Sequence, residues 1–80
     1  MIEERLKAII LRALRLDDFT FHDDTKAFQV PGWDSLSHMV IIAAVEKEYG
    51  IRLRNVEIIK MKSVGDLQAL INSKLHKGSG

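Results

Sequence analysis

Residues 32–50 read Gly32-Trp33-Asp34-Ser35-Leu36-Ser37-His38-Met39-Val40-Ile41-Ile42-Ala43-Ala44-Val45-Glu46-Lys47-Glu48-Tyr49-Gly50, and the fold follows from how this stretch spreads its apolar residues. It is helical from Ser35 to about Tyr49. Asp34 and Ser35 are both competent N-caps, and Gly50 is the usual residue just past a helix end. At about 100° per residue, Met39, Ile42, Val45 and Tyr49 form one stripe with Ile41 at its flank, while Leu36, Val40 and Ala43 form a second on another side. A helix apolar on two sides is central or meets a further surface. The first stripe serves a core; the second is either another packing contact or a docking face.

Outward from this helix, residues 2–15 place Leu6, Ile9, Ile10, Ala13 and Leu14 at amphipathic spacing, with acids early and arginines late, as the helix dipole favours. Residues 16–34 lose the period and collect Asp17, Asp18, Phe19, Phe21, Asp23, Asp24, Phe28, Pro31, Gly32 and Trp33. That is a loop long for a compact domain, yet too aromatic for a floppy linker, so it is expected to pack across the core. Residues 51–55 are extended in character and 56–61 suggest a short helix. Ser63 caps a last helix over 64–75, built on Val64, Leu67, Leu70, Ile71 and Leu75. The fold class is all-α: a small four-helix bundle of three main helices and one short one, with a long first loop. The domain is expected over residues 1–76, with a flexible Gly-rich tail at 77–80.

Composition excludes several classes. The chain has 80 residues, 46% hydrophobic, with 12 Lys plus Arg against 11 Asp plus Glu and no Cys. One core is all this length supports. Without cysteine there is no disulfide, thiolate nucleophile or Cys-bound metal. The longest apolar run, Met39–Val45, is far short of the ~20 residues of a membrane span, and charges interrupt the first residues too often for a signal peptide, so a cytoplasmic chain is expected. Charge is uneven: Asp17, Asp18, Asp23 and Asp24 stand without a base in 17–24, whereas residues 51–80 hold six bases against Glu57 and Asp66. That basic half is diffuse and pI is only about 8.1, which argues against nucleic acid as a partner.

Chemistry-bearing residues gather at Asp34, Ser35 and His38. A Ser35–His38 hydrolase is rejected, because the Gly-x-Ser-x-Gly elbow and oxyanion donors are missing. His22, Asp23, Asp24 and His38 do not have the spacing of a zinc or calcium site. Gly32, Gly50 and Gly65 are isolated and form no phosphate loop; turn or cap work is expected of each. What remains is a serine hydroxyl where backbone N–H groups converge at a helix start, a place that suits a phosphodiester; on three residues alone it is also an ordinary N-cap.

Three stretches together resemble the acyl carrier proteins over nearly the whole chain: Gly32-Trp33-Asp34-Ser35-Leu36, Ala44-Val45-Glu46-Lys47-Glu48-Tyr49-Gly50-Ile51 and Ser63-Val64-Gly65-Asp66-Leu67. The resemblance implies 4′-phosphopantetheine on Ser35, attached from coenzyme A by a phosphopantetheinyl transferase and holding acyl groups as thioesters for acyl-loading and acyl-transfer enzymes of fatty acid, polyketide or related biosynthesis. It implies a monomeric carrier, not a catalyst. Partner recognition would involve Asp34, Leu36, Ser37, Val40, Ala43, Glu46 and Lys47, and Met39, Ile42, Val45, Ile59 and Leu67 would line the core that opens around an acyl chain. Two competing readings are a peptidyl carrier, which usually has Gly-Gly or Gly-His around the serine, and a non-carrier helical interaction module. Most such carriers repeat acids along the second helix. Here Ser37, His38, Val40 and Ala43 stand in that place, so recognition is expected to be less electrostatic.

Overall fold

The computed structural model describes the backbone of residues 2–78 and the side chains of residues 2–76. Four helices follow one another: α1 Glu4–Leu14, α2 Ser35–Tyr49, α3 Asn55–Lys60 and α4 Val64–Gly78, with a single 3-10 turn, Ala27–Gln29, in the loop between α1 and α2. The expected elements are present, and their ends differ by a residue or two, except that α4 runs on to Gly78. Lys77 and Gly78, expected in a tail, continue its backbone; Ser79 and Gly80 lie outside the described residues.

One core joins the helices. Leu6 and Ile10 of α1 pack with Ile41, Ile42 and Val45 of α2 and with Val64, Leu67 and Ile71 of α4, all almost fully enclosed. Each such side chain contributes about 1.5–3 kcal/mol by leaving water. A polar seam closes one end of it. The Tyr49 hydroxyl donates to Glu3 Oε1 at 3.0 Å, the buried Gln68 amide donates to the same oxygen at 3.1 Å, and the Glu3 N–H returns a bond to Gln68 Oε1 at 2.9 Å. Burial, then the neighbouring Glu3 carboxylate, pushes the Tyr49 phenol up to about 12.

Local chemistry ends each helix. Gly50 takes the left-handed conformation past α2, φ 66°, and the Ile51 N–H reaches back to the Glu46 carbonyl at 3.1 Å. Arg15 takes that conformation past α1, φ 58°, with Leu16 bonded to Leu11 in the same way. At the start of α4 the Asp66 N–H donates to Ser63 Oγ while the Ser63 N–H donates to Asp66 Oδ2, each at 3.1 Å.

The long loop is tied down by backbone, not only by its aromatics. Ala27 N–H donates to the Lys62 carbonyl at 3.0 Å, Val64 N–H to Thr25 at 2.8 Å and Gly65 N–H to Asp23 at 3.0 Å, a short antiparallel pairing centred on Lys26 and Ser63. Phe19, Phe21 and Trp33 pack against the core, whereas Phe28 stays exposed and stacks on the His38 ring, centroids 5.1 Å apart. Gly65 is therefore more than a turn residue. It lies inside α4, and a β-carbon there would run into the Asp23 carbonyl.

Helix propensity alone would make Gly65→Ala stabilising by about 1 kcal/mol. The close approach reverses the sign: we expect a loss of about 1–3 kcal/mol in urea unfolding, because backbone rather than a flexible side chain must move. A variant as stable as the parent would show that the loop does not lie against α4.

Candidate functional site

Ser35 opens α2, and the turns before it set its position. Val30 N–H bonds to Ala27 and Trp33 N–H to Val30, each within 3.1 Å, so the chain curls once and delivers Asp34 as the N-cap. Asp34 Oδ1 accepts from the Ser37 N–H at 2.8 Å, and its carbonyl takes the His38 N–H at 2.8 Å. Bonds from Ser37, first its N–H and then its hydroxyl, hold the Asp34 carboxyl below its ordinary range. The N–H groups expected to cradle a phosphate are thus largely taken by Asp34. Ser35 differs: it is exposed, and its hydroxyl makes no hydrogen bond among the described residues. Of the two cap-competent residues, Asp34 does the capping and Ser35 is left open to a reagent.

His38 is no base for it. The ring is buried, 7% exposed, and its Nδ1 accepts the Trp33 indole N–H at 3.0 Å. The proton of the neutral ring then belongs on Nε2, and the ring also meets the Ile58 backbone of α3. One imidazole so joins the loop, α2 and α3. It also displaces Met39 from the expected stripe: α2 buries His38, Ile41, Ile42, Val45 and Tyr49, while Met39 is 52% exposed. A stripe through residues 38, 41, 42, 45 and 49 has helical spacing, and a pattern that scores histidine as polar shifts it by one residue. The Trp33 indole five residues earlier, a donor in need of an acceptor, was the available signal.

Among the remaining predicted residues, Leu36, Val40, Ala43 and Lys47 lie on the exposed side of α2, Leu36 at 76% and Val40 at 48% exposure. Ser37 is half-buried, and Glu46 turns inward, Oε2 accepting the Leu53 N–H at 2.8 Å. Ile42, Val45 and Leu67 are in the core. Ile59 is not: at 78% exposed it sits at the surface, and Ile58 packs inward in its place. A six-residue helix is too short for spacing to say which of two adjacent isoleucines faces in. His22, Asp23 and Asp24 are exposed and far in character from the buried His38; no group of three potential metal ligands converges among the described residues. Beside the α2 face, α1 brings Arg12 and Arg15, cations that α2's own sequence does not show.

The geometry predicts a pH response. Burial pushes the His38 imidazole down from its ordinary value near 6.5. The unfolded chain then binds the proton more readily, so this contribution to stability is complete above about pH 6.5 and is lost as pH falls toward the folded value. The carboxylates of Asp18, Asp34, Glu57 and Asp66 are held down by hydrogen bonds from Lys7, the Ser37 N–H, Lys74 and the Lys62 N–H in turn, and they act only below about pH 4.5. Denaturant melts from pH 7 to 5 should show falling stability in the parent and a flatter profile in His38→Gln. Equal slopes would place the imidazole in water.

Comparison with known proteins agrees with this arrangement. A family model described as "Phosphopantetheine attachment site" matches residues 4–71. The chain is 28% identical to the acyl carrier protein of Thermotoga maritima over 92% of its own length and 91% of that protein's. It is 33% identical to polyketide-8 synthase acyl carrier protein 2 of Streptomyces avermitilis, over 91% and 84%. The solution structure of holo acyl carrier protein from Geobacter metallireducens superposes with a TM-score of 0.86 at 35% identity, over 94% of this chain and 86% of that one. With four helices in this order, an open serine heading the second and a family match over most of the chain, the protein belongs to the acyl carrier protein family, carriers that hold 4′-phosphopantetheine covalently.

Proposed function

We propose that Ser35 is the point at which a phosphopantetheinyl transferase attaches the arm. The observation that carries this is the Ser35 hydroxyl, exposed, free of hydrogen bonds among the described residues and held at the head of a helix whose other face is buried in the core. In the transfer, Ser35 Oγ bonds to phosphorus, the pyrophosphate link of coenzyme A breaks, the nucleotide half leaves, and the hydroxyl proton passes to a base of the transferase. The arm supplies the thiol that this chain lacks, and the thiol holds the acyl group as a thioester. The chain's own residues position and present it. Asp34 stiffens the helix start, and Leu36, Ser37, Val40, Ala43 and Lys47 offer the surface that transferase and acyl-transfer enzymes meet. Glu46, turned toward Leu53, serves the fold instead.

A tethered thioester reaches each partner at an effective concentration in the millimolar range, so brief docking is enough. Ile42, Val45 and Leu67 are the core side chains that would part around an acyl chain, with Met39 and Ile59 at the surface beside them. The domain would act as a monomer in the cytoplasm. The polyketide relative and the acyl carrier relatives favour an acyl over a peptidyl cargo.

Incubation with coenzyme A, magnesium and a broad-specificity transferase should add one phosphopantetheinyl unit to the intact mass, and none to Ser35→Ala. Ser35 is exposed and its side chain caps nothing, so the variant should fold as the parent does. An unchanged parent mass with competent enzyme would leave a non-carrier interaction module as the better reading.

A further inference from the structure

Between α1 and α2 runs an open groove of about 760 Å3. Its floor is short because Ala8, Ala13 and Ala44 leave room that larger side chains would fill, and Ile9 and Val40 make it apolar. Its rim is cationic. Arg5 is answered by Glu48 at 3.1 Å, but Arg12, Arg15 and Lys47 have no ion-pair partner among the described residues, whereas Lys7 and Lys74 each hold a carboxylate, at 3.1 and 2.9 Å.

Arg15 adds a second observation. It occupies the left-handed position that ends α1, φ 58°, the one non-glycine among the described residues with positive φ. At the matching position of α2 stands Gly50. A side chain is strained in this conformation, and here it brings a cation to the groove. Asp18, three residues further along the chain, is engaged by Lys7.

We propose that this groove is a docking surface for an acidic amphipathic helix of a partner protein, one whose apolar ridge lies over the alanines with carboxylates against Arg12, Arg15 and Lys47. The span from Arg5 to Arg15 is about 15 Å, two to three turns of such a helix. A flat anionic surface, lipid or duplex, suits the site less, because the floor is recessed between two helices. Val40 belongs both to this groove and to the exposed side of the Ser35 helix, so a partner seated here lies along the helix that carries the arm. The proposal rests on the carrier reading only for the partner's purpose; the groove's chemistry stands without Ser35. It reverses the charge sign of a carrier steered by its own carboxylates, and it restores a salt dependence that α2 alone does not suggest.

The test uses the isotope-labelled Ser35→Ala chain, so that its outcome is independent of the arm. It is titrated with a helical peptide of about four turns carrying one Leu stripe flanked by Glu, and with the same peptide carrying Lys for every Glu. The Glu peptide should shift amides of residues 5–15 and 40–48 and leave residues 55–61 in place. Its affinity should fall about tenfold in R12E/R15E/K47E, and its affinity for the parent should fall between low and moderate salt while that for the triple variant does not; the Lys peptide gains on the triple variant. All three positions are exposed, and thermal unfolding of the triple variant checks that it folds. Absence of shifts in the groove, equal binding by the triple variant, or displacement of the Glu peptide by phosphatidylglycerol vesicles would overturn the proposal, the last in favour of a lipid surface.

Discussion

The hydrogen bond from the Trp33 indole to His38 Nδ1 determines where the second helix begins relative to the loop before it. Trp33 is buried two residues before Ser35 and His38 three residues after, so the serine sits on a turn gripped from both sides. The same imidazole also meets the Ile58 backbone, so the contact extends to α3. A neutral buried hydrogen bond contributes only about 0.5–1.5 kcal/mol, but leaving the indole N–H without an acceptor would cost about 1–3 kcal/mol. The arrangement therefore acts less as a source of stability than as a penalty on every other way of placing the head of α2. Ser35 stays outside it and exposed.

Much of the fold is legible in local patterns. The α2 cap at Asp34, the glycine end at Gly50 and the Ser63 start of α4 depend on residues within four positions of one another, and such signals survive in sequence. The loop does not. Its path is held by bonds between the backbones of residues 23–27 and 62–65, which carry no side-chain signature. The burial of His38 was hidden for a related reason: a polar residue becomes core only when a partner from another segment satisfies it, and Trp33 is that partner. Met39 falls on an apolar stripe by helical spacing and Ile59 joins the core only through the family resemblance, and neither residue carries a local mark of the side it faces. At the site, Ser35 could be singled out because its neighbours on the chain are also its neighbours in space, whereas the inward turn of Glu46 depends on where residue 53 returns.

Charge illustrates the same limit. Along the chain the bases look concentrated after residue 51, yet Lys74 is answered by Glu57, and the groove cations without an ion-pair partner among the described residues come from α1, the residue that ends it, and α2. A face that reads as nearly neutral from α2 becomes basic once α1 is laid beside it. On the proposed reading, the choice of partners would belong to the pair of helices, and attachment of the arm to one turn of one helix. Arg12 lies on α1, away from the turn that carries Ser35.

Residue-by-residue amide spectra of the chain before and after transfer of phosphopantetheine test the central claim most directly. If Ser35 is held ready by a turn that is already formed, shifts will be confined to the residues around Ser35, and the core signals of Leu6, Ile10 and Ile71 will stay where they were. Attachment at another residue, or displacement of those core signals on loading, would contradict it.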